Sequence, residues 1–485
     1  MDTEKNTAAM NFDDIIGDAG VSRRTFLARA GMMGMGVAGL AALAGCGNAA
    51  ANDAASDESS NEASKSASSE WVDVGKSDDL MQKVLQESEV TGDLPLDDGT
   101  FIPAVYVRMR NRINRIGRGI GSMPADGTSY DMIKYLWSEE DAEHYLEMPL
   151  HKYFTAGDYA AVSGRSEEEC SKILEDQADR CLIWRVRRGG LPFYVLMPYI
   201  NGFWEFNELK AYYSGVEGSV AEFDMQGIKG ADPHDTSGFD TTFPLFRSYP
   251  IGVDVVEGDA LAPFHDWRAL IKRNSMITVS PCQCRTMWEA LGVPYNESHP
   301  HRTCLSLGEM AEYFIENGIG EQITQDEAIS IVEDIIDHGM VVESICAKDA
   351  DIICACHCES CGNLIAYRAC NGQAACANYY SAYLLNYDKD ACIACGSCVE
   401  RCPMHSITLG DDGVCIMDDA CVRCGQCVAV CPAKARILKV NPNYPELPTD
   451  YVDCNRYFAK DRMQRGQLVD FVEGELTAKP AAVQA

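Results

Sequence analysis

Between Cys392 and Cys431 the chain spells one pattern twice: Cys392, Cys395, Cys398 and Cys402-Pro403, then Cys421, Cys424, Cys427 and Cys431-Pro432. A Cys-x2-Cys-x2-Cys-x3-Cys-Pro spacing presents thiolates from tight loops, and such soft ligands select iron–sulfur cubanes or zinc. Gly396 and Gly425 follow the second cysteine of each run, where the loop must curl and aim backbone N–H groups at sulfur. Pro403 and Pro432 stop the turn after the fourth cysteine. Zinc in two four-cysteine knuckles is the competing chemistry, but the third cysteine of each run suits a cubane better. The expected cofactors are two [4Fe-4S] clusters and the expected chemistry is one-electron transfer.

A second field of thiols lies upstream. Pro281-Cys282-Gln283-Cys284-Arg285 follows an expected strand over 276–280, and Cys304 follows the His299-Pro300-His301 loop. Two thiolates one residue apart on an extended chain point the same way and can grip one metal. Cys354, Cys356, His357, Cys358 and Cys361 then fall within eight residues, a density of no use to a hydrophobic core. Cys282, Cys284, Cys304, Cys354, Cys356, Cys358 and Cys361 are therefore candidates for a third metal centre, with iron–sulfur favoured over zinc. His299 and His357 are possible ligands, although a loop histidine is more often simply solvated. Cys370 and Cys376 are further candidates, whereas Cys346, Cys415 and Cys454 read as small apolar packing residues.

The two C-terminal runs resemble those of a bacterial two-cluster ferredoxin. That resemblance implies crossed ligation: Cys392, Cys395, Cys398 and Cys431 hold one cluster, and Cys421, Cys424, Cys427 and Cys402 hold the other. Clusters sharing runs in this way lie close enough for electrons to hop between them.

The rest of the chain must place this chemistry. At 485 residues and 46% hydrophobic content it can build two or three modest cores. Its formal charge of −32 excludes nucleic acid as a natural partner and favours a redox protein with a cationic docking face. The 23 cysteines concentrate between residues 282 and 431 at metal-ligating rather than disulfide-like spacings.

Ser22-Arg23-Arg24-Thr25-Phe26-Leu27 and the small, weakly apolar run after it resemble a twin-arginine export signal, which passes proteins already folded around their cofactors. Leu43-Ala44-Gly45-Cys46 resembles a lipobox with Cys46 as the lipidated residue. The Ala/Ser/Asn/Asp/Glu stretch that follows has nothing to bury and reads as a flexible tether. The expected location is therefore extracytoplasmic, lipid-anchored at the cell membrane of an anaerobe.

Residues 131–146, 155–162 and a helix opened by Ser166 read as three helices, followed by strands over 182–186 and 193–197 around Arg187-Arg188-Gly189-Gly190. The order resembles a winged helix-turn-helix. Glu167, Glu168, Glu169, Glu175, Asp176 and Asp179 on its third helix would repel phosphate, so a docking or structural module is expected. Arg185, Arg187 and Arg188 are read as a solvated hairpin tip. The basic run at 108–115 is read as a solvated helix face.

Residues 130–440 as a whole resemble a family of anaerobe proteins joining a winged-helix part, a Cys-x-Cys-Arg segment, a Cys-rich knot and a dicluster ferredoxin domain. The fold class expected is α+β, divided into a signal with lipobox (1–46), linker (47–75), winged-helix-like domain (76–210), Cys-rich middle domain (211–384), ferredoxin domain (385–440) and tail (441–485). The expected function is electron relay between a membrane donor and a terminal reductase. Reductive dehalogenases also combine a twin-arginine signal with C-terminal cubanes. The alternative they imply is a redox enzyme with its active site in the middle domain, although their second cluster run is usually irregular.

Overall fold

The computed structural model describes residues 78–480 except 87–89, 97–98, 118–127, 216–245, 252–264, 291–294, 370–380, 471–478 and positions 412, 414, 443, 445 and 467. The expected signal and tether, with Cys46, and the candidates Cys370 and Cys376 lie outside the described residues.

An N-terminal helical layer comprises α1 (Asp78–Leu85), the pair β1 (Leu94–Pro95) and β2 (Phe101–Ile102), α2 (Ala104–Ile116), α3 (Thr128–Leu136), α4 (Glu139–Glu147), α5 (Ala156–Ser163) and α6 (Glu167–Asp179). The stretch 131–146, expected as one helix, is broken because Ser138 caps α4. Its hydroxyl accepts from the Asp141 N–H at 3.1 Å, and the Asp141 carboxylate accepts from the Ser138 N–H at 3.2 Å. Ser166 caps α6 by accepting from the Glu169 N–H, while the Glu169 carboxylate turns to Arg165. β3 (Trp184–Arg188) and β4 (Leu191–Val195) form the expected hairpin, and Gly189 and Gly190, at φ 61° and 81°, make its two-residue turn.

Two charge readings are corrected. Arg185 is 4% exposed and pairs with Glu175 at 2.6 Å, Asp179 at 2.7 Å and Glu316 at 2.9 Å. Arg187 also meets Glu316, and Arg188 meets Glu309 at 2.7 Å, so the hairpin cations pair with carboxylates farther along the chain, Arg187 and Arg188 while still partly in water. The basic run lies in α2, where Arg110, Arg112 and Arg115 are buried. Arg112 donates to the Met148 carbonyl, and Arg115 donates to the Val84 carbonyl at 3.2 Å, satisfying the C-terminal end of α1. Arg108 keeps a partly exposed partner, Glu143 at 2.6 Å.

The middle of the chain contributes α7 (Phe203–Ser214), β5 (Phe246–Ser248), α8 (Trp267–Arg273), β6 (Ile277–Pro281), α9 (Gln283–Ala290), β7 (Arg302–Leu307), α10 (Glu309–Asn317), β8 (Glu321–Gln322), α11 (Gln325–Asp337), β9 (Val341–Ile345), β10 (Ile352–Cys356) and α12 (Gly362–Ala369). The strands form one antiparallel sheet in the order β5-β9-β10-β7-β6-β8. β6 and β9 are buried at every residue, polar Thr278, Ser280, Glu343 and Ser344 included. Register sets Cys354 opposite Glu343 and Cys304 opposite Ser280.

The C-terminal part pairs β11 (Tyr383–Tyr387) with β14 (Arg436–Val440), and encloses α13 (Ser397–Glu400), β12 (Ile407–Leu409) paired with β13 (Cys415–Met417), and α14 (Gln426–Ala429). Beyond it the expected tail contains a buried helix, α15 (Tyr451–Gln464), packed against α1 and α2. Its Arg462 donates to the Asn114 side chain and the Gly117 carbonyl, each at 2.8 Å. One apolar cluster runs from Val90 through the sheet to Phe458, so the expected segments share a core. No helix among the described residues is long and apolar enough to cross a membrane. The molecule is a mixed helix-and-sheet, α+β protein.

Candidate metal centres

The two cysteine runs adopt the same backbone path. Left-handed conformations recur at equivalent positions: Ala394 and Arg423 at φ 54° and 56°, Gly396 and Gly425 at 77° and 83°, His405 and Lys434 at 49° and 53°. Each loop then closes on sulfur. The Ser406 N–H donates to Cys402 Sγ at 3.4 Å and the Ala435 N–H to Cys431 Sγ at 3.3 Å. Such N–H groups lower the charge density of a thiolate and so stabilise it.

Cys392, Cys395, Cys398 and Cys431 line one pocket, together with Cys415, Tyr387 and Arg436. The Tyr387 hydroxyl pulls the Cys392 thiol below its ordinary pKa, and Ser397 does the same for Cys395. Arg436 is 2% exposed and its two terminal nitrogens have no hydrogen-bond partner, while the Cys398 and Cys415 thiols lie against it. A buried, unsatisfied cation beside thiols fits an anionic iron–sulfur cage. Cys415, read from sequence as packing, lies 3.6 Å from Cys398 sulfur to sulfur and belongs to this wall.

Cys402, Cys421, Cys424 and Cys427 form a deeper group. Burial raises all four thiols, and each feels others of the set: Cys402 feels Cys421, and Cys424 feels Cys427, Cys402 and Cys421. Gly425 is required twice over, because its φ is left-handed and an added Cβ would stand 2.4 Å from the Ile251 carbonyl oxygen. Ile251 donates its N–H to the Cys424 carbonyl at 2.9 Å, tying this loop to the strand β5 region.

The upstream thiols gather at the end of the sheet. Cys282 closes β6 and Cys284 lies in the first turn of α9, so a strand-to-helix turn brings them together, not the extended chain expected. Cys282 and Cys284 shift each other through a mutual hydrogen bond, Cys284 and Cys356 both contact Cys361, and Cys304 is raised by burial and then by Cys354. Hydrogen bonds from Cys284 and Cys356 lower Cys361 to about 7. Its thiol also reaches Glu343 Oε1 at 3.8 Å, and Glu343, Cys356 and Cys361 together present ligand atoms to a common point. The buried Arg285 supplies the local positive charge, donating to the Ala355 carbonyl at 3.2 Å and Thr303 Oγ1 at 2.6 Å with Nε unpartnered. Among so many like-charged neighbours, several thiolates require a cation such as Arg285 or a metal.

Cys358 stands apart from this group. Its N–H donates to the Pro403 carbonyl at 3.0 Å, and Cys402 contributes to its surroundings. The neighbouring histidines are not solvated as expected: His299 and His357 are 6% and 8% exposed. Glu343 carried no spacing signal, because only sheet register brings it to the thiols, whereas His299 and His357 already stood as possible ligands in the sequence. Beside Cys304 and Cys354 the sheet also borders a small cavity of about 40 Å³ lined by Glu205, Asp351 and Tyr451. Burial holds the Asp351 carboxyl well above its ordinary pKa.

A family model described as a 4Fe-4S dicluster domain matches residues 384–432. Over 29 residues, 6% of this chain, the sequence is 52% identical to a "Probable ferredoxin" of Methanosarcina thermophila. The alignment spans 50% of that relative. No solved structure matches the chain. The C-terminal part is a 4Fe-4S dicluster domain, and with the thiol-lined loops it supports an iron–sulfur protein of ferredoxin type acting in electron transfer.

Proposed function

We propose that the protein relays single electrons through its thiolate-held centres while tethered at the outer face of the cytoplasmic membrane of an anaerobe. The observation that carries the relay is the duplicated loop path, with Cys392, Cys395, Cys398 and Cys431 lining one pocket and Cys402, Cys421 and Cys427 influencing Cys424. Bound clusters supply the redox chemistry, a reversible one-electron change. The chain's residues hold them, dry the deeper site and bias the outer one with Arg436.

The two thiol sets differ in what they face. The set Cys402, Cys421, Cys424 and Cys427 adjoins the upstream thiols through Cys358, whereas the set containing the exposed Cys395 lies near solvent. Ile393, Leu409, Ile416 and Met417 are exposed on the same loops and strands, an apolar landing for a partner within an acidic surface. Electrons would enter or leave there, and the Cys282–Cys361 group would be a third centre. The partners proposed are a membrane donor and a terminal reductase, one of them with a cationic docking face; the helices and hairpin of the N-terminal layer serve as a winged-helix-like docking module.

The test is anaerobic purification of the full chain with iron, sulfide and zinc counts and low-temperature EPR. About eight irons would mean two cubanes and about twelve would mean three. One zinc per chain with about eight irons would overturn the third cluster, and a colourless protein free of acid-labile sulfide would overturn the relay. A second reading, a redox enzyme with its active site in the middle domain, rests on the thiols gathered at the end of the sheet. A corrinoid band in the visible spectrum would support that reading over a simple carrier.

A further inference from the structure

Three histidines from separate segments converge where the Cys-rich sheet meets the ferredoxin loops. The His299 and His357 rings lie 4.5 Å apart between centroids, and His357 and His405 lie 5.4 Å apart. Glu359 enters the same space, with Oε1 3.0 Å from His405 Nε2 and Oε2 3.6 Å from His357 Nδ1. Ligand atoms of His299, His357 and Glu359 all lie within 4.8 Å of one another, and so, separately, do those of His357, Cys358 and His405. His299 is 6% exposed, yet its Nδ1 has no hydrogen-bond partner among the described residues. A buried imidazole nitrogen without a partner is costly unless something absent from the polypeptide satisfies it.

Each segment is aimed by its fold. His357 follows β10 directly, and the turn after it bonds Cys361 N–H to the His357 carbonyl at 2.8 Å. His405 occupies the left-handed position that Lys434 takes in the second run, so the first cluster loop has exchanged a cation for an imidazole at an equivalent backbone site. The His299 loop is held by its N–H bond to the Asn296 carbonyl at 3.1 Å.

We propose that His299, His357, His405 and Glu359 form a mononuclear site for a divalent first-row metal, distinct from the cysteine-held centres. Three imidazoles and one carboxylate suit zinc or ferrous iron, and suit magnesium or calcium poorly. One ion there would clasp three chain segments and fix the Cys-rich sheet against the loop bearing Cys402.

The experiment uses the full chain, purified anaerobically, treated with a mild chelator and titrated with cobalt(II), with iron and sulfide counted before and after. The wild type is expected to take up one cobalt with d–d bands lacking thiolate-to-metal charge transfer, and to melt at a higher temperature when loaded. His405→Ala, at a half-exposed position, and Glu359→Gln should each weaken uptake at least tenfold without changing iron or sulfide content. Unaltered uptake in both variants, or no uptake by the wild type, would overturn the site. Thiolate charge-transfer bands would move the ion onto Cys358 or its neighbours and overturn the assignment equally. Loss of iron with retained cobalt binding would count against the cluster relay alone.

Discussion

At the scale of single residues, the two buried arginines beside thiols define the electrostatics. Arg436 faces Cys398 and Cys415, and Arg285 lies among Cys282, Cys356, Cys284 and Cys361. Replacing Arg436 by Gln removes a positive charge next to one centre and should make its reduction potential more negative. At an effective dielectric near 20 the shift is on the order of 100 mV, measurable by EPR-monitored redox titration. Gly425→Ala is expected to be costly, because it combines left-handed strain with contact against the Ile251 carbonyl. A loss of at least about 2 kcal/mol, seen as a lower denaturant midpoint and reduced iron content, is the predicted outcome. The eight run cysteines were legible in the sequence because their chemistry depends on local spacing. Glu343 and His405 were not, since only sheet register and loop packing bring them there, although His299 and His357 were already possible ligands.

At the scale of elements, the acidic face of α6 and the basic hairpin answer each other. Sequence showed both charge runs but read the hairpin cations as solvated, because composition cannot reveal that α10 brings Glu309 and Glu316 onto the hairpin. The same limit explains α2, whose arginines look like a surface pattern while their guanidinium groups satisfy carbonyls at helix ends. Arg185→Leu strands three carboxylates and should destabilise the protein by about 2 kcal/mol, less than a fully buried pair because Asp179 is well exposed. A double-mutant cycle with Glu316→Gln should return a coupling of about 1 kcal/mol or more in urea unfolding. Additive effects would show that the hairpin and α10 are energetically independent.

At the scale of the whole molecule, one apolar core links the N-terminal layer, the sheet and α15. The α+β class and the C-terminal dicluster part were readable, whereas the helix hidden in the expected tail was not. Its polar residues, Lys460, Asp461 and Arg462, are buried by partners that only folding supplies. Phe458→Ala in that helix should cost about 3–5 kcal/mol and lower the melting temperature of the entire protein. Acid should also act globally through His265, which burial, with Arg247 3.4 Å away, depresses to about 3. Because the unfolded imidazole takes up its proton near 6.5, the neutral form's contribution is complete above that pH and declines as pH falls toward 3, by at most about 1.4 kcal/mol per unit. Urea midpoints at pH 7 and 5 should therefore differ less in His265→Gln than in the wild type.

The helix that covers α1 and α2 comes off the ribosome after both cysteine runs. Until it emerges, the earliest-made helices lack the surface that shields Val84 and Met81. A nascent chain thus presents both cysteine runs before its N-terminal layer can close. Sealing comes last, and a chain stopped short of that helix would be a natural target for quality-control proteases even with its clusters in place.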